Sequence, residues 1–134
     1  AVIITNPEVS SVRDSDRIIG MLDSKTVKAE KGEQVKKHVL ITRYDTARAA
    51  RGEMLTIEDI LEILATPLLG IIPESQDVLR ASNVGSPVTL SNAASAPARA
   101  YTDAARRLMG ETVTMLVPVE RKGLMDRLLG RRAA

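Results

Sequence analysis

The 134-residue chain contains no cysteine, phenylalanine or tryptophan, one histidine (His38) and two tyrosines. Without cysteine it can form neither a disulfide nor a thiolate metal site, and a lone histidine cannot build a zinc centre. Two tyrosines do not make the stacking platform of a single-strand nucleic-acid binder. No apolar run approaches the roughly 20 residues of a membrane-spanning helix, and no basic segment leads into a signal-peptide core. What remains is a chain with 44% hydrophobic residues, enough for one compact domain with a modest core.

Its charge is unevenly placed. Residues 120–132 hold five Lys/Arg against Glu120 and Asp126, a local +3 that leaves −1 of the total +2 for the rest of the chain. A terminal segment with its own charge and pattern points to its own partner. On a 100° wheel Leu124, Met125, Leu128 and Leu129 cover one sector, while Lys122, Asp126 and Arg127 fall mostly outside it. That is an amphipathic helix suited to an anionic lipid surface, preceded by the spacer ETVTMLVPVE, which Pro118 interrupts. Burying the four side chains gains about 1.5 to 3 kcal/mol each. Ordering about ten residues costs roughly 1 to 2 kcal/mol each. One tail therefore binds weakly and reversibly, whereas two on a dimer gain about 10² to 10⁴ in avidity.

The body reads as alternating strands and helices. AVIIT is a β-branched run of the kind buried in a parallel sheet, and its position at residue 1 leads us to expect the later part of a longer protein. Asn6-Pro7-Glu8 predicts a helix capped by Asn6 and running to about Val27, with Val12, Ile18, Ile19 and Leu22 toward the sheet and Ser10, Arg13, Asp14 and Arg17 outward. KHVLITR predicts a second strand, and Thr56 with Asp59 predicts a capped helix through IEDILEIL, stopped by Pro67. LLGII predicts a third strand ending at Pro73, then a helix closing near Gly85, a loop with an extended piece at PVTL, and a last helix from Pro97 to Gly110. This is the pattern of an α/β fold with a parallel sheet, whose ligands sit beyond the carboxyl ends of the strands. TNPE, TRYD and IPES should therefore converge on one site.

The segments TNPEVSSVRDSDRIIGML, LITRYDTARAARGEMLTIEDILEIL, GIIPESQDVLRASNVGSPV and KGLMDRLLG together resemble, in order, the C-terminal half of the ParA/MinD family of deviant-Walker P-loop ATPases. The resemblance implies the C-terminal part of a P-loop parallel-sheet three-layer fold with an amphipathic helix at its end. Residues 1–110 would be that portion, 111–119 a linker and 120–134 the membrane-targeting tail. It implies a peripheral protein of the inner face of the cell membrane, homodimeric with ATP and Mg²⁺, that positions the division septum with a MinC-like inhibitor and a MinE-like activator. No Gly-rich phosphate loop or magnesium carboxylates like the family's appear in this chain, so on its own it should not hydrolyse ATP.

Carried over by the resemblance, Thr42, Arg43, Pro73 and Glu74 would meet the adenine, and Glu8 would reach nucleotide held by the opposite subunit. Ser10, Arg13, Asp14 and Met54 would form the partner and dimer surface, and Lys122, Leu124, Met125, Arg127, Leu128 and Leu129 would meet the membrane. An acidic residue usually follows the Glu of IPES in the family, whereas this chain has Ser75. Read without the resemblance, Thr42 is a strand-end hydroxyl satisfying backbone, Arg43 a surface charge, and Arg13, Asp14 and Arg17 an ordinary solvated face. Two other functions fit the same features: a non-enzymatic α/β membrane adaptor, and a related flagellar-positioning or partition ATPase.

Overall fold

The computed structural model describes residues 1–118. The expected membrane contacts at Lys122, Leu124, Met125, Arg127, Leu128 and Leu129 lie outside them. Three parallel strands, β1 (Val2–Thr5), β2 (His38–Tyr44) and β3 (Leu68–Pro73), form a sheet in the order β1-β2-β3. Among the described residues seven helices accompany them: α1 (Val9–Ser24), α2 (Val27–Glu30), α3 (Thr46–Ala50), α4 (Ile57–Leu64), α5 (Gln76–Asn83), α6 (Val88–Ser91) and α7 (Ala96–Leu108). Parallel neighbours cannot be joined by a tight turn, so the chain returns through helices between strands.

Those helices cover both faces of β2 and β3. On one face α1 and α4 bury Val12, Ile19, Ile57, Ile60 and Leu64 against Ile3, Val39, Ile41 and Ile71. On the other, α7 sets Ala104 on Leu40, Leu69 and Ile72, and a small adjoining cluster of Ala81, Val88 and Ala98 ties α5 and α6 to α7. The three-layer α/β arrangement is thus present. Among the described residues β1 is an edge strand, and on the α7 side it is bare: Ile4 is 63% exposed and Val2 37%. The apolar run at the start therefore has one covered face rather than two.

Four local expectations are corrected. The first helix begins at Val9, with Glu8 as its N-cap, because Pro7 is buried and the Asn6 side chain instead accepts from the Glu8 amide at 3.3 Å, forming a turn ahead of the helix. It ends at Ser24, and Thr26 caps a separate helix, α2, by accepting from Ala29 N at 3.1 Å. Ile18, expected to face the sheet, is 46% exposed, since α1 buries the narrower stripe of Val12, Ser15 and Ile19. PVTL is not extended: Val88–Ser91 is the short helix α6, with Val88 buried against Ala81 and Ala98. The cap of α4 stands as read, with Asp59 N donating to Thr56 Oγ1 at 3.1 Å and Thr56 N to the Asp59 carboxylate at 3.0 Å.

The register between β2 and β3 slips after the Val39 and Leu68 pair, so that Leu40 opposes Gly70. This irregularity brings α7 down onto the backbone of β3. A Cβ at Gly70 would lie 3.1 Å from Ala104 Cβ and 3.2 Å from Leu40 Cδ1, so a larger residue there crowds the helix. Gly70→Ala is predicted to destabilise the fold by about 1 to 3 kcal/mol through overpacking. The urea unfolding midpoint measures it.

Candidate functional site

The carboxyl ends of the three strands lie at one edge of the sheet, and their loops are bonded to one another there. Thr42 Oγ1 donates to Thr5 O at 3.3 Å, joining the β2 end to the β1 end. The Glu74 amide donates to Tyr44 O at 2.9 Å, joining the β3 end to the β2 end. Leu55 N donates to Pro7 O at 2.9 Å, which draws the segment before α4 against the loop after β1. The convergence of TNPE, TRYD and IPES is therefore a feature of the structure.

Arg43 is the centre of this edge. Its φ is +57°, the left-handed region that a residue with a Cβ rarely occupies, and it sits where the β2–β3 register shifts between Ile41 and Tyr44. The turned backbone projects the guanidinium outward, where Nε donates to Glu74 Oε2 at 2.9 Å. Glu74 raises the Arg43 pKa, first through that hydrogen bond and then through its charge, and Glu8 adds a smaller increment from the β1 loop. One residue from each loop thus shares a field. Strained backbone of this kind gathers where a loop must hold a fixed shape for a ligand.

The neighbouring side chains fix this geometry from behind. Ser11 accepts from Asn6 N at 3.2 Å and lies 3.0 Å from Thr5 Oγ1, which locks the loop after β1. Asp45 caps α3 by accepting from Ala47 N and Arg48 N at 2.9 and 3.1 Å. Tyr44 is buried beneath α4, and that burial is the main cause of its raised pKa. Ser75, standing where an acid was expected, caps α5 by accepting from Asp77 N at 3.1 Å, a position that favours a short oxygen-bearing side chain.

Beside these loops lies a cleft of about 670 Å³. Its walls include Tyr44, Asp45, Thr46, Pro73 and Glu74 from the strand ends, Arg99, Asp103 and Arg107 from α7, and Met115 to Pro118 from the segment beyond. Pro73 and Glu74 line this cleft. Thr42 and Arg43 do not line the cleft: the Thr42 hydroxyl proton is given to backbone, leaving its oxygen lone pairs, and Arg43 pairs with the cleft residue Glu74 from beyond the lining. Residues α1 presents to solvent include Ser10, Arg13 and Asp14, the last 3.6 Å from Arg17, and Glu8 is exposed at its start. Met54 is half-buried and packs on the α1–α4 core, so it adjoins that surface with only part of its side chain. Sequence reasoning passed over Ser11, Asp45 and Arg107. A serine five residues after the loop asparagine and an Asp before a short helical run were the available signals for the first two.

Comparison with known proteins decides the family. The septum site-determining protein MinD of Neisseria meningitidis serogroup B is 55% identical over 131 residues, 97% of this chain, and that of Escherichia coli 54% over 132. By sequence and fold, the chain belongs to the MinD family, whose C-terminal half it matches. It spans about half the length of these curated relatives, 48% in each. The MinD cell division protein of Aquifex aeolicus superposes with a TM-score of 0.75 at 40% identity, covering 87% of this chain and 46% of that one. A MinC:MinD complex from the same organism gives 0.73 at 40% identity, covering 92% and 46%. MinD of Pyrococcus horikoshii OT3 complexed with Mg-ADP gives 0.63 at 26% identity, covering 81% and 40%. No protein-family model matches the chain.

The Arg43 loop yields a test of its own. Glycine adopts φ near +57° without the penalty a Cβ imposes, and an exposed ion pair contributes under about 1 kcal/mol. Arg43→Gly is therefore predicted to be more stable than Arg43→Ala by about 1 kcal/mol. Equal denaturant midpoints for the two variants would show that the backbone at this MinD-family loop is relaxed.

Proposed function

We propose that this chain supplies the base-binding, partner-facing and membrane-attaching half of a MinD-like ATPase that positions the division septum. The observation that carries the proposal is the bonded junction of three strand-end loops at Arg43, with Pro73 and Glu74 lining the cleft beside it. A MinD related to this chain is known bound to Mg-ADP and another bound to MinC. Those likenesses support a bound nucleotide and a MinC-like inhibitor, which this reading assigns to this edge and to the exposed face of α1.

The residues present suit the base end of a nucleotide. Proline at 73 fixes the loop and removes a donor, leaving backbone groups of the IPES loop to read the edge of a purine, while the Thr42 oxygen retains acceptor capacity. Among the described residues no group of three or more His, Cys, Asp or Glu could hold a metal ion. By the family resemblance, magnesium and the phosphates would be held by the other half of the ATPase, where phosphoryl-transfer chemistry resides, and the present side chains would bind and orient the base. Glu8, exposed at the start of α1 and within the field of Arg43, would reach a nucleotide on a second subunit. Ser10, Arg13 and Asp14 follow on the same exposed helix, and a MinE-like activator would act there.

No described helix is long and apolar enough to cross a membrane. Attachment in this reading is peripheral, through residues 120–132, with dimerisation converting two weak tails into a firm hold. ATP favours the dimer, and hydrolysis stimulated by the activator on α1 releases the protein from the inner face of the membrane.

Joined to the N-terminal half of the Neisseria meningitidis relative, the chain is predicted to sediment with anionic vesicles at least tenfold better in ATP than in ADP. The separate 134-residue chain should hydrolyse no ATP above background. Leu124→Glu or Leu128→Glu in the joined protein should abolish vesicle binding and leave its circular dichroism unchanged. Equal sedimentation in both nucleotides would refute the nucleotide-gated attachment.

A further inference from the structure

The segment after α7 carries no helix or strand in residues 111–118, yet it is fastened to the body. Arg107, in the last turn of α7, gives its three guanidinium nitrogens to three backbone carbonyls. Nη1 donates to Leu69 O at 2.9 Å, Nε to Val113 O at 2.8 Å and Nη2 to Thr114 O at 2.8 Å. One acceptor belongs to β3 and two belong to the segment beyond the helix. A planar guanidinium with donors in a fixed fork serves both at once, which a lysine ammonium does not.

The turn between them is held as well. Gly110, at φ +93°, reverses the chain, Glu111 N donates to Arg106 O at 3.0 Å, and Arg106 Nε donates to the Glu111 carboxylate at 2.7 Å. Held this way, Met115, Leu116 and Val117 lie along the cleft that Pro73 and Glu74 also line.

From this geometry we infer that Arg107 is a latch fixing where the C-terminal tail leaves the body, so that the strand-end edge of the sheet is kept close to the bilayer. The inference rests on the reading of residues 120–132 as a membrane anchor. With the latch closed, the chain from Thr114, the last residue Arg107 holds, to Leu124 spans at most about 35 Å at 3.3 to 3.6 Å per residue. With it open, the free chain starts after Glu111, which Arg106 still holds, and reaches about 45 Å. The latch does not change the apolar side chains that enter lipid; it changes the distance and the orientation of the body above them.

The absence of cysteine lets one introduced thiol place a probe cleanly. In the full 134-residue chain a donor dye at Ala105→Cys, an exposed position on α7, is read against acceptor-labelled vesicles of phosphatidylglycerol and phosphatidylcholine. Arg107→Ala and Arg107→Lys should each at least halve the energy transfer while equal amounts of protein sediment. Spin labels at Ala105→Cys and Leu116→Cys should give a narrow distance distribution that broadens in Arg107→Ala. An unchanged distribution, or unchanged transfer at equal binding, overturns the latch. If the wild-type chain does not bind the vesicles, the proposed orientation at the bilayer falls with the membrane reading, and the spin-label distances alone decide whether the latch exists.

Discussion

Parallel pairing of β2 with a neighbour on each side is the constraint from which the remaining architecture follows. Strands that run the same way put all their carboxyl ends at one edge, so the loops after β1, β2 and β3 must meet there whatever their sequences. The same directionality forces the chain back across the sheet between strands. Those return paths are α1 and α4, which share the core built on Ile3, Val39, Ile41 and Ile71. α7, following β3, covers the opposite face. A site at the strand ends and a helix wall on each side are thus two results of one pairing rule.

The strand-end site carries a second constraint, imposed by backbone shape. The register irregularity near Arg43 turns that residue into the left-handed region and swings its side chain to Glu74. The bond from Glu74 N to Tyr44 O then couples the β3 loop to the β2 loop independently of the side chains. Such a doubly tied edge holds its shape without a ligand, which lowers the entropy a ligand must lose on binding. The exposed outer face of α1 carries only the Asp14–Arg17 pair at 3.6 Å among the described ion pairs.

The strands and the larger helices were legible because their signals are local. β-branched runs announced β1, β2 and β3, and the Thr56–Asp59 box announced α4. The convergence of three loops was legible from topology, since it needs only the direction of the strands. What the sequence did not disclose depends on contacts distant along the chain. The helical state of PVTL is set by Val88 packing on Ala81 and Ala98, the late start of α1 by burial of Pro7, and the exposure of Ile18 by how narrow a stripe α1 presents to the sheet. Arg107 was unreadable for the same reason, because its acceptors are carbonyls whose positions exist only in the fold. The four motifs spread over nearly the whole length carried the family, which no single loop could have done.

The bare side of β1 has a consequence for how this half behaves in solution. Ile4 and Val2 lie open beside a row of backbone amides and carbonyls that no described strand engages, and apolar surface next to such groups recruits whatever extended chain arrives first. Whether that visitor is another segment of a MinD-like fold or a second molecule of the same kind is a contest of rates. Early cover of this edge therefore guards against clumping.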